Sequence, residues 1–431
     1  MQTNKPGNRT IFTLAWPIAM NAVLLQLILI IDTVLVTPLG EESLAAMGLA
    51  ASIAGIILGL LFAFSNGTQL IIAQAYGAKS GDAISMGLKA GLAINLIIAA
   101  LGILFIFTLG LPLIRQLAET TSMAALSYDY LSVFTLVIVG IAGCQNLSVF
   151  FNATGNSRYP FYANLIELPI NVLVSLVLIY GWWGFPEMGL TGAAMGSVIA
   201  VLCRLVFLVI FKHRQTDAFV QTNPVNINFK AIRGHLAQAT PIAGTFVSMV
   251  LANSVCMMIY ARLGINQFAA LTLIAPWVKV AGHITTAWAQ ATGILVGQLL
   301  GGKAWDWLDQ FISQSWRIIL LLGGMVAAIY LGMFYLFEAL YPELQEETLS
   351  TLWQFMPILV AIPIIRASNT ICGHVLRAGG DAVHVFKIHS TVQWLVVVPL
   401  SALFVLYLEL SAAWVFGLIL LEEVIKSVPF H

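Results

Sequence analysis

The sequence predicts an all-α membrane protein in which twelve transmembrane helices form two six-helix lobes, related by pseudo-two-fold symmetry around a central cleft. The first observation is composition: of the 431 residues, 60% are hydrophobic and 9% are charged, which is far from the composition of soluble domains. The second is length, because the chain has room for about a dozen apolar segments of roughly 20 residues with short connections. The third is an internal duplication.

The duplication is clearest in two segments 224 residues apart, GTQLIIAQAYGAKSGD from Gly67 and ATGILVGQLLGGKAWD from Ala291. The Pro-Ile-Ala triplets at Pro17 and Pro241 have the same offset, and ATGN at 153–156 matches AGGD at 378–381 with an offset of 225. Six helices followed by six more give both halves the same orientation. Parallel repeats of this kind are related by an axis along the membrane normal.

Twelve hydrophobic runs give the predicted helices. In the first half they span 10–37, 43–76, 84–113, 123–153, 160–181 and 191–211. In the second half they span 235–261, 267–300, 310–338, 347–376, 384–408 and 411–428. Turn-forming residues separate the first, second, fifth and tenth runs from their successors, namely TPLG at 37–40, GD at 81–82, GFP at 184–186 and GGD at 379–381.

A polar segment separates the two halves and divides the chain into an N-terminal lobe at 9–211, a cytoplasmic linker at 212–234 and a C-terminal lobe at 235–428. Its asparagines and Pro224 are incompatible with a spanning helix. Most of the 19 basic residues fall at one set of helix ends, which the positive-inside rule assigns to the cytoplasm. With an even helix count, both termini are expected to be cytoplasmic.

Catalytic signatures are absent from the sequence. It contains no GxSxG, HExxH, Walker loop or GxGxxG after a strand, so we expect no enzymatic activity, no cofactor and no metal site. The formal net charge of zero gives no indication of a nucleic-acid partner. No loop has room for a nucleotide-binding domain, and transport is therefore expected to run downhill or on an ion gradient.

Asp32 is the outstanding candidate for coupling, because it lies in the apolar run LILIIDTVLV of the first helix. Ionisable groups inside the bilayer are costly and usually functional. A single carboxylate that binds a proton outside and releases it inside is a minimal coupling device; the alternative is a structural acid that caps or pairs with another helix. Pro17 lies in the same helix and predicts a kink, either static or different in different states.

Polar residues on three helices are candidates for a cavity lining. Asn171 and Ser175 are four residues apart and share a helix face, and the further candidates are Ser197, Asn21 and Gln26. Each is also compatible with a simple interhelical hydrogen bond. Glu167 is interpreted as reaching the membrane interface, and Arg204 as snorkelling.

The second half places cations inside predicted helices. Lys279 and Arg366 are intramembrane charges that are expected to repel cations, hold a substrate anion or pair with an acid that the sequence does not identify.

These residues resemble the multidrug and toxic compound extrusion (MATE) family, and in particular its DinF-type branch, over residues 9–428. The specific matches are Pro17 and Asp32, the motif after the second helix, ATGNSRYPF after the fourth and VLRAGGD after the tenth. The resemblance implies a twelve-helix antiporter that exchanges cationic or amphipathic drugs for protons or sodium by rocking two lobes. It also implies that Asp32 is the cation- or proton-linked acid, that Asn171 lies near it and that Pro17 marks a bend.

Two departures from that family pattern concern the coupling ion: the first leaves Asp32 to act nearly alone, and the second favours protons over sodium. Many relatives carry a second acid where this chain has Ser175, and sodium-coupled relatives carry acids where it has Met249 and Arg366. The second half is therefore expected to lack an acid that could hold sodium.

The resulting prediction is a monomeric exporter of amphipathic or cationic compounds, driven by the proton gradient, in the cytoplasmic (inner) membrane of a bacterium. Its expected partners are small-molecule substrates, protons and membrane lipids. Two alternatives stay open, a sodium-coupled drug antiporter and a lipid or lipid-linked oligosaccharide flippase of the same superfamily.

Overall fold

The computed structural model describes residues 7–214, 229–340 and 346–431, and across these ranges the chain is helical with no β-strand. The middle of the predicted linker, 215–228, lies outside the described residues. The all-α prediction is confirmed. Within the described ranges, twelve long helical segments occur where the twelve hydrophobic runs predict them.

The first six helices are α1 (Asn8–Val36), α2 (Glu41–Gly77), α3 (Gly81–Leu117), α4 (Thr121–Ala153), α5 (Arg158–Tyr180) and α6 (Gly189–His213). The other six are α7 (Phe229–Tyr260), α8 (Ile265–Gly301), α9 (Leu308–Leu340), α10 (Glu346–Ala378), α11 (Ala382–Tyr407) and α12 (Ala412–Phe430). Among the described residues, all except α8 and α12 are long and apolar enough to cross a membrane. The chain is a multi-pass membrane protein.

The duplicated motifs form the same helix ending. After α2, Ser80 N–H donates to the Ala75 carbonyl at 3.1 Å and Lys79 N–H donates to the Tyr76 carbonyl at 3.0 Å. This is the pair of bonds of a Schellman motif, in which a left-handed residue stops the helix. The same two bonds recur after α8, 224 residues later, with left-handed Lys303. They also end α4 and, 225 residues later, α10, with left-handed Gly155 and Gly380.

One predicted turn needs correction. The residues at 81–82 belong to the first turn of α3, and the chain reverses at 78–80 instead. The reason is capping: the Ser80 hydroxyl accepts a hydrogen bond from Ala83 N–H, and a serine in this position starts a helix.

The helices group into two compact units. The first unit is Met20–Ala243, and the second combines the residues up to Ala19 with Gly244–His431. These units differ from the predicted lobes at 9–211 and 235–428, because the start of α1 groups with the second unit and the start of α7 with the first. Pro17 and Pro241 each precede a division by two residues.

Close packing explains why the start of α7 belongs to the first unit. Thr68 Oγ1 on α2 lies 2.8 Å from His235 Nε2 on α7, and both side chains are buried. A Cβ atom added to Gly67 would lie 2.7 Å from the Ala239 Cβ. Glycine therefore lets the two helices approach closely at this point.

Each unit has an apolar core of its own. In the first unit, Ile57, Leu61, Leu131 and Ile138 belong to one buried cluster. In the second, Phe355 and Phe416 pack against each other in a tilted arrangement, with ring centroids 4.1 Å apart, within a separate cluster.

Candidate functional site

A cavity of about 550 Å³ lies inside the first unit, between α1, α2, α4, α5 and α6. Its wall is mostly aliphatic and small, with aromatic side chains from Phe62, Tyr130 and Phe134. A few polar side chains interrupt this apolar surface. An apolar pocket with few, well-placed polar groups is typical of a site for a small amphipathic molecule.

Helical periodicity places the polar groups along the cavity. On α1, Asp32 follows Leu25 and Ile28 at intervals of seven and four residues, which puts all three on one face. On α5, Glu167 and Asn171 are four residues apart. On α6, Ser197, Val201 and Arg204 follow the same periodicity, and all of these residues line the cavity.

The polar end of the cavity brings together Asp32, Asn171 and Ser197. Asn171 Nδ2 donates to Ser197 Oγ at 3.0 Å, and the Asn171 side chain is also close enough to interact with the Asp32 carboxylate. In the described structure, Asp32 Oδ1 and Asn171 Oδ1 are buried without a hydrogen-bond partner. Buried acceptors without donors cost free energy, so a proton or a cation is favoured there.

A buried ion pair lies in the same cavity. Arg204 Nη1 is 3.2 Å from Glu167 Oε2, and the two side chains are only 4% and 7% exposed. Arg204 Nη2 also donates to Ser148 Oγ at 3.4 Å. Glu167 therefore does not reach the membrane interface as interpreted from the sequence, because Arg204 on α6 holds it inside. Glu167 also acts electrostatically on Asp32.

Ser175 does not line this cavity, which corrects its predicted position. It is fully buried where α5 and α6 approach each other, and a Cβ atom added to Gly196 would lie 2.1 Å from its Oγ. Gly192 makes a similar approach, since a Cβ there would lie 2.7 Å from the Leu178 backbone. Small residues allow such close helix contact in membranes.

Asn21 and Gln26 are also outside the lining of this cavity. Asn21 Oδ1 accepts a hydrogen bond from Asn164 Nδ2 and so joins α1 to α5. This contact matches the alternative that the sequence left open for such residues. The side chain of Gln26 is partly buried.

In the second unit, Arg366 pairs with an acid that the sequence did not identify. Arg366 Nε lies 2.8 Å from Glu423 Oε1, and Asn369 Nδ2 donates to Glu423 Oε2 at 3.0 Å. Glu423 is buried on α12, and its neighbour Glu422 pairs with Lys426. Pairing with an acid was one of the alternatives for Arg366, and the second half does contain a buried acid, which Arg366 already neutralises. The available signal was the polar cluster EEVIK within an otherwise apolar helix.

The other predicted site residues lie apart from these networks. Lys279 is exposed on α8 in the second unit, one turn from His283. Pro17 lies inside α1, and its proposed bend stays a prediction. Within the described ranges, no group of three or more His, Cys, Asp or Glu side chains is arranged to hold a metal ion.

Comparisons with known proteins cover nearly the whole chain. The MatE family model matches residues 17–177 and 241–403. The chain is 24% identical over 446 residues to "Uncharacterized transporter YisQ" of Bacillus subtilis, covering 99% of this chain and 94% of that protein. It is 23% identical over 418 residues to "Probable multidrug resistance protein NorM" of Pseudomonas syringae, covering 94% and 89%.

Two solved structures have the same fold. "Crystal structure of MATE in the bent conformation" matches with a TM-score of 0.88 at 18% identity, covering 99% of this chain and 94% of that one. "Outward-facing conformation of a multidrug resistance MATE family transporter of the MOP superfamily" matches with a TM-score of 0.84 at 19% identity, covering 98% and 94%. The predicted twelve-helix, two-lobe fold class is confirmed.

Proposed function

This chain belongs to the MatE family of transporters, and on that premise we propose that it is an antiporter that exports amphipathic cations in exchange for protons. The observation that carries the proposal is the position of Asp32 in the apolar cavity of the first unit, beside Asn171. Assignment to the DinF-type branch stays a prediction from the sequence. Relatives described as multidrug resistance proteins support drug extrusion as the activity.

Competition for one carboxylate provides the coupling in this proposal. Ionised Asp32 attracts a cationic substrate into a cavity with a mostly apolar wall, where the low dielectric strengthens the electrostatic attraction. Protonated Asp32 loses that attraction, and the substrate dissociates. A ligand shifts a conformational equilibrium only by its differential affinity for the two conformations. Because Asp32 binds either the proton or the substrate but not both, the proton gradient drives export of the substrate.

The apolar wall suits the other part of such a substrate. Tyr130 and Phe134 stack with ring centroids 5.6 Å apart at the cavity, and aromatic faces attract cations. The aliphatic remainder of the lining has few directional contacts, which suits substrates of varied shape. Affinity is then expected to depend on charge and apolar area.

Sodium is the second candidate ion, and one observation favours it. Asp32 Oδ1 and Asn171 Oδ1 are buried oxygens without a donor in the described structure, and hard cations prefer oxygen ligands. Against sodium, the other acid of the cavity, Glu167, is already neutralised by Arg204. The flippase alternative has less support, because Arg366 is engaged by Glu423 and is not free to hold a phosphate.

Efflux from proteoliposomes tests the proposal. A pH gradient should accelerate export of a cationic dye by wild-type protein, and an imposed sodium gradient alone should not. Asp32→Asn should reduce the pH-driven rate by at least about tenfold, since a contact between desolvated charged groups is worth more than about 1.4 kcal/mol.

The matched control is Asp129→Asn, which removes an exposed acid of the same first unit and should leave the rate unchanged. Size-exclusion chromatography establishes that each variant is folded. Undiminished efflux by folded Asp32→Asn would refute the role of Asp32. Acceleration by a sodium gradient in the absence of a pH gradient would show that sodium, and not the proton, is the coupling ion.

A further inference from the structure

The cavity of the first unit contains a second acid and a cation that the proposed exchange does not use. Among the described residues that line it, three carry charge: Asp32, Glu167 and Arg204. Glu167 and Arg204 form an ion pair with each other, whereas Asp32 forms none with a described residue. With all three ionised, the cavity therefore has a formal charge of minus one.

We propose that the Arg204–Glu167 pair holds the cavity at a single negative charge and thereby makes the site selective for singly charged cations. This inference rests on the proposed function, because it concerns the substrate class of the same site. It assigns a specificity role to two residues that do not themselves take part in proton exchange.

The pair is built into the wall of the cavity. Both side chains are almost fully buried, and Arg204 makes a second contact, with Ser148 Oγ at 3.4 Å. Ser148 is buried on α4, so the guanidinium is held by two neighbouring helices. A fixed cation of this kind stays in place when the substrate enters, and the charge of the site stays defined.

Glu167 is positioned to bind a positive charge of the substrate if Arg204 did not neutralise it. It lies four residues before Asn171 on the same face of α5, and its charge already acts on Asp32. Without Arg204, the cavity would contain two uncompensated carboxylates. It would then favour a doubly charged ligand, because each carboxylate compensates one positive charge of the ligand, whereas a second positive charge buried without a partner costs free energy.

Geometry also argues against a purely structural pair. Arg204 and Glu167 share one hydrogen bond at 3.2 Å, and Arg204 Nε is buried with no partner among the described residues. A buried pair selected for stability alone is expected to have good geometry and satisfied donors, and apolar replacements of buried pairs are often more stable. The pair here lies instead on a cavity wall beside the proposed substrate acid.

Ethidium and propidium provide a matched pair of probes, because they share one ring system and propidium carries a second cationic group. Their dissociation constants are measured by fluorescence polarisation with purified full-length protein in detergent. Wild-type protein should bind ethidium more tightly than propidium. Arg204→Gln should shift the ratio of the two constants towards propidium by about tenfold or more, and Arg204→Lys should leave the ratio near that of wild type.

The double variant distinguishes charge from structure. Glu167→Gln alone leaves Arg204 unpaired and brings the formal charge to zero, so ethidium binding should weaken by about tenfold or more. Glu167→Gln combined with Arg204→Gln returns the charge to minus one and should restore both ethidium affinity and the wild-type ratio to within about threefold. A pair with only a structural role would show no such restoration.

Each outcome of these binding measurements either supports or overturns the inference. An unchanged ratio in folded Arg204→Gln overturns the inference, and so does a folded double variant without restoration. If Arg204→Gln does not fold, the comparison of Glu167→Gln with the double variant decides alone. Failure of the double variant to fold would assign the pair to stability and overturn the inference. If ethidium binding by wild-type protein did not depend on Asp32, that result would instead count against the proposed function itself.

Discussion

Asp32, Asn171 and Ser197 could be found from the sequence because each is a polar residue in an apolar helix, where such residues are rare. Helical spacing also indicated that Asn171 shares a face of its helix with Ser175. The structure places all three on one cavity and adds Glu167 and Arg204. The pairing of those two could not be predicted, because it depends on the rotation of α5 relative to α6, which the pattern of a single helix does not contain.

Asn171 and Ser175 make a matched pair for mutagenesis on the same helix face. Asn171→Ala should weaken binding of a cationic substrate by roughly three- to tenfold, since it removes a polar group that interacts with Asp32 and bonds to Ser197. Ser175→Ala should leave binding unchanged and the melting temperature equal or higher, because its buried hydroxyl has no partner in the described structure. Equal loss of binding in both variants would contradict the difference in position.

At the scale of elements, the hydrophobic runs predicted the helices well because apolar length alone decides what can span a bilayer. The duplicated loop motifs have a physical explanation that the sequence did not supply: all four end a helix in a Schellman motif. Two of them use glycine at the left-handed position, and two use Lys79 and Lys303 with φ of 54° and 56°. Duplication therefore preserved a way of ending helices.

Gly380 tests the energetic value of such an ending. It has a φ of +93°, and a Cβ atom there would meet nothing within 4 Å, so backbone strain is the main cost of a side chain. Gly380→Ala should destabilise the protein by about 1 kcal/mol and lower the melting temperature in detergent. Gly379→Ala is the control, since its φ is not left-handed and its added Cβ makes ordinary contacts. Equal melting temperatures for both variants would show that the left-handed conformation is not required.

For the whole molecule, the duplication predicted two similar halves, but the chemistry of the halves differs. At the 224-residue offset Asp32 corresponds to Cys256, whose Sγ lies 3.9 Å from Ser401 Oγ in a buried apolar cluster. The second unit also contains an ion pair, Arg366 with Glu423. At the same offset these two residues correspond to Ala142 and Ile199, which carry no charge. The scaffold is repeated, whereas the proposed coupling acid is found in one unit.

The composition of the two units was not accessible from the sequence. A run of hydrophobic residues shows that α1 and α7 exist, but not that each contributes its first turns to the other unit. That assignment depends on contacts such as Gly67 with Ala239, between helices far apart in the chain. The sequence shows Pro17 and Pro241, but it does not show that each lies two residues before the point where its helix passes from one unit to the other.

Proton release on substrate binding tests the coupling by Asp32 most directly. Purified protein in weakly buffered detergent solution is mixed with ethidium while the pH is recorded, over a series of starting pH values. If substrate and proton compete for Asp32, wild-type protein should release up to about one proton per bound ethidium, and Asp32→Asn should release none. Ethidium binding by wild type without proton release at any starting pH, or undiminished release by Asp32→Asn, would contradict proton exchange at this carboxylate.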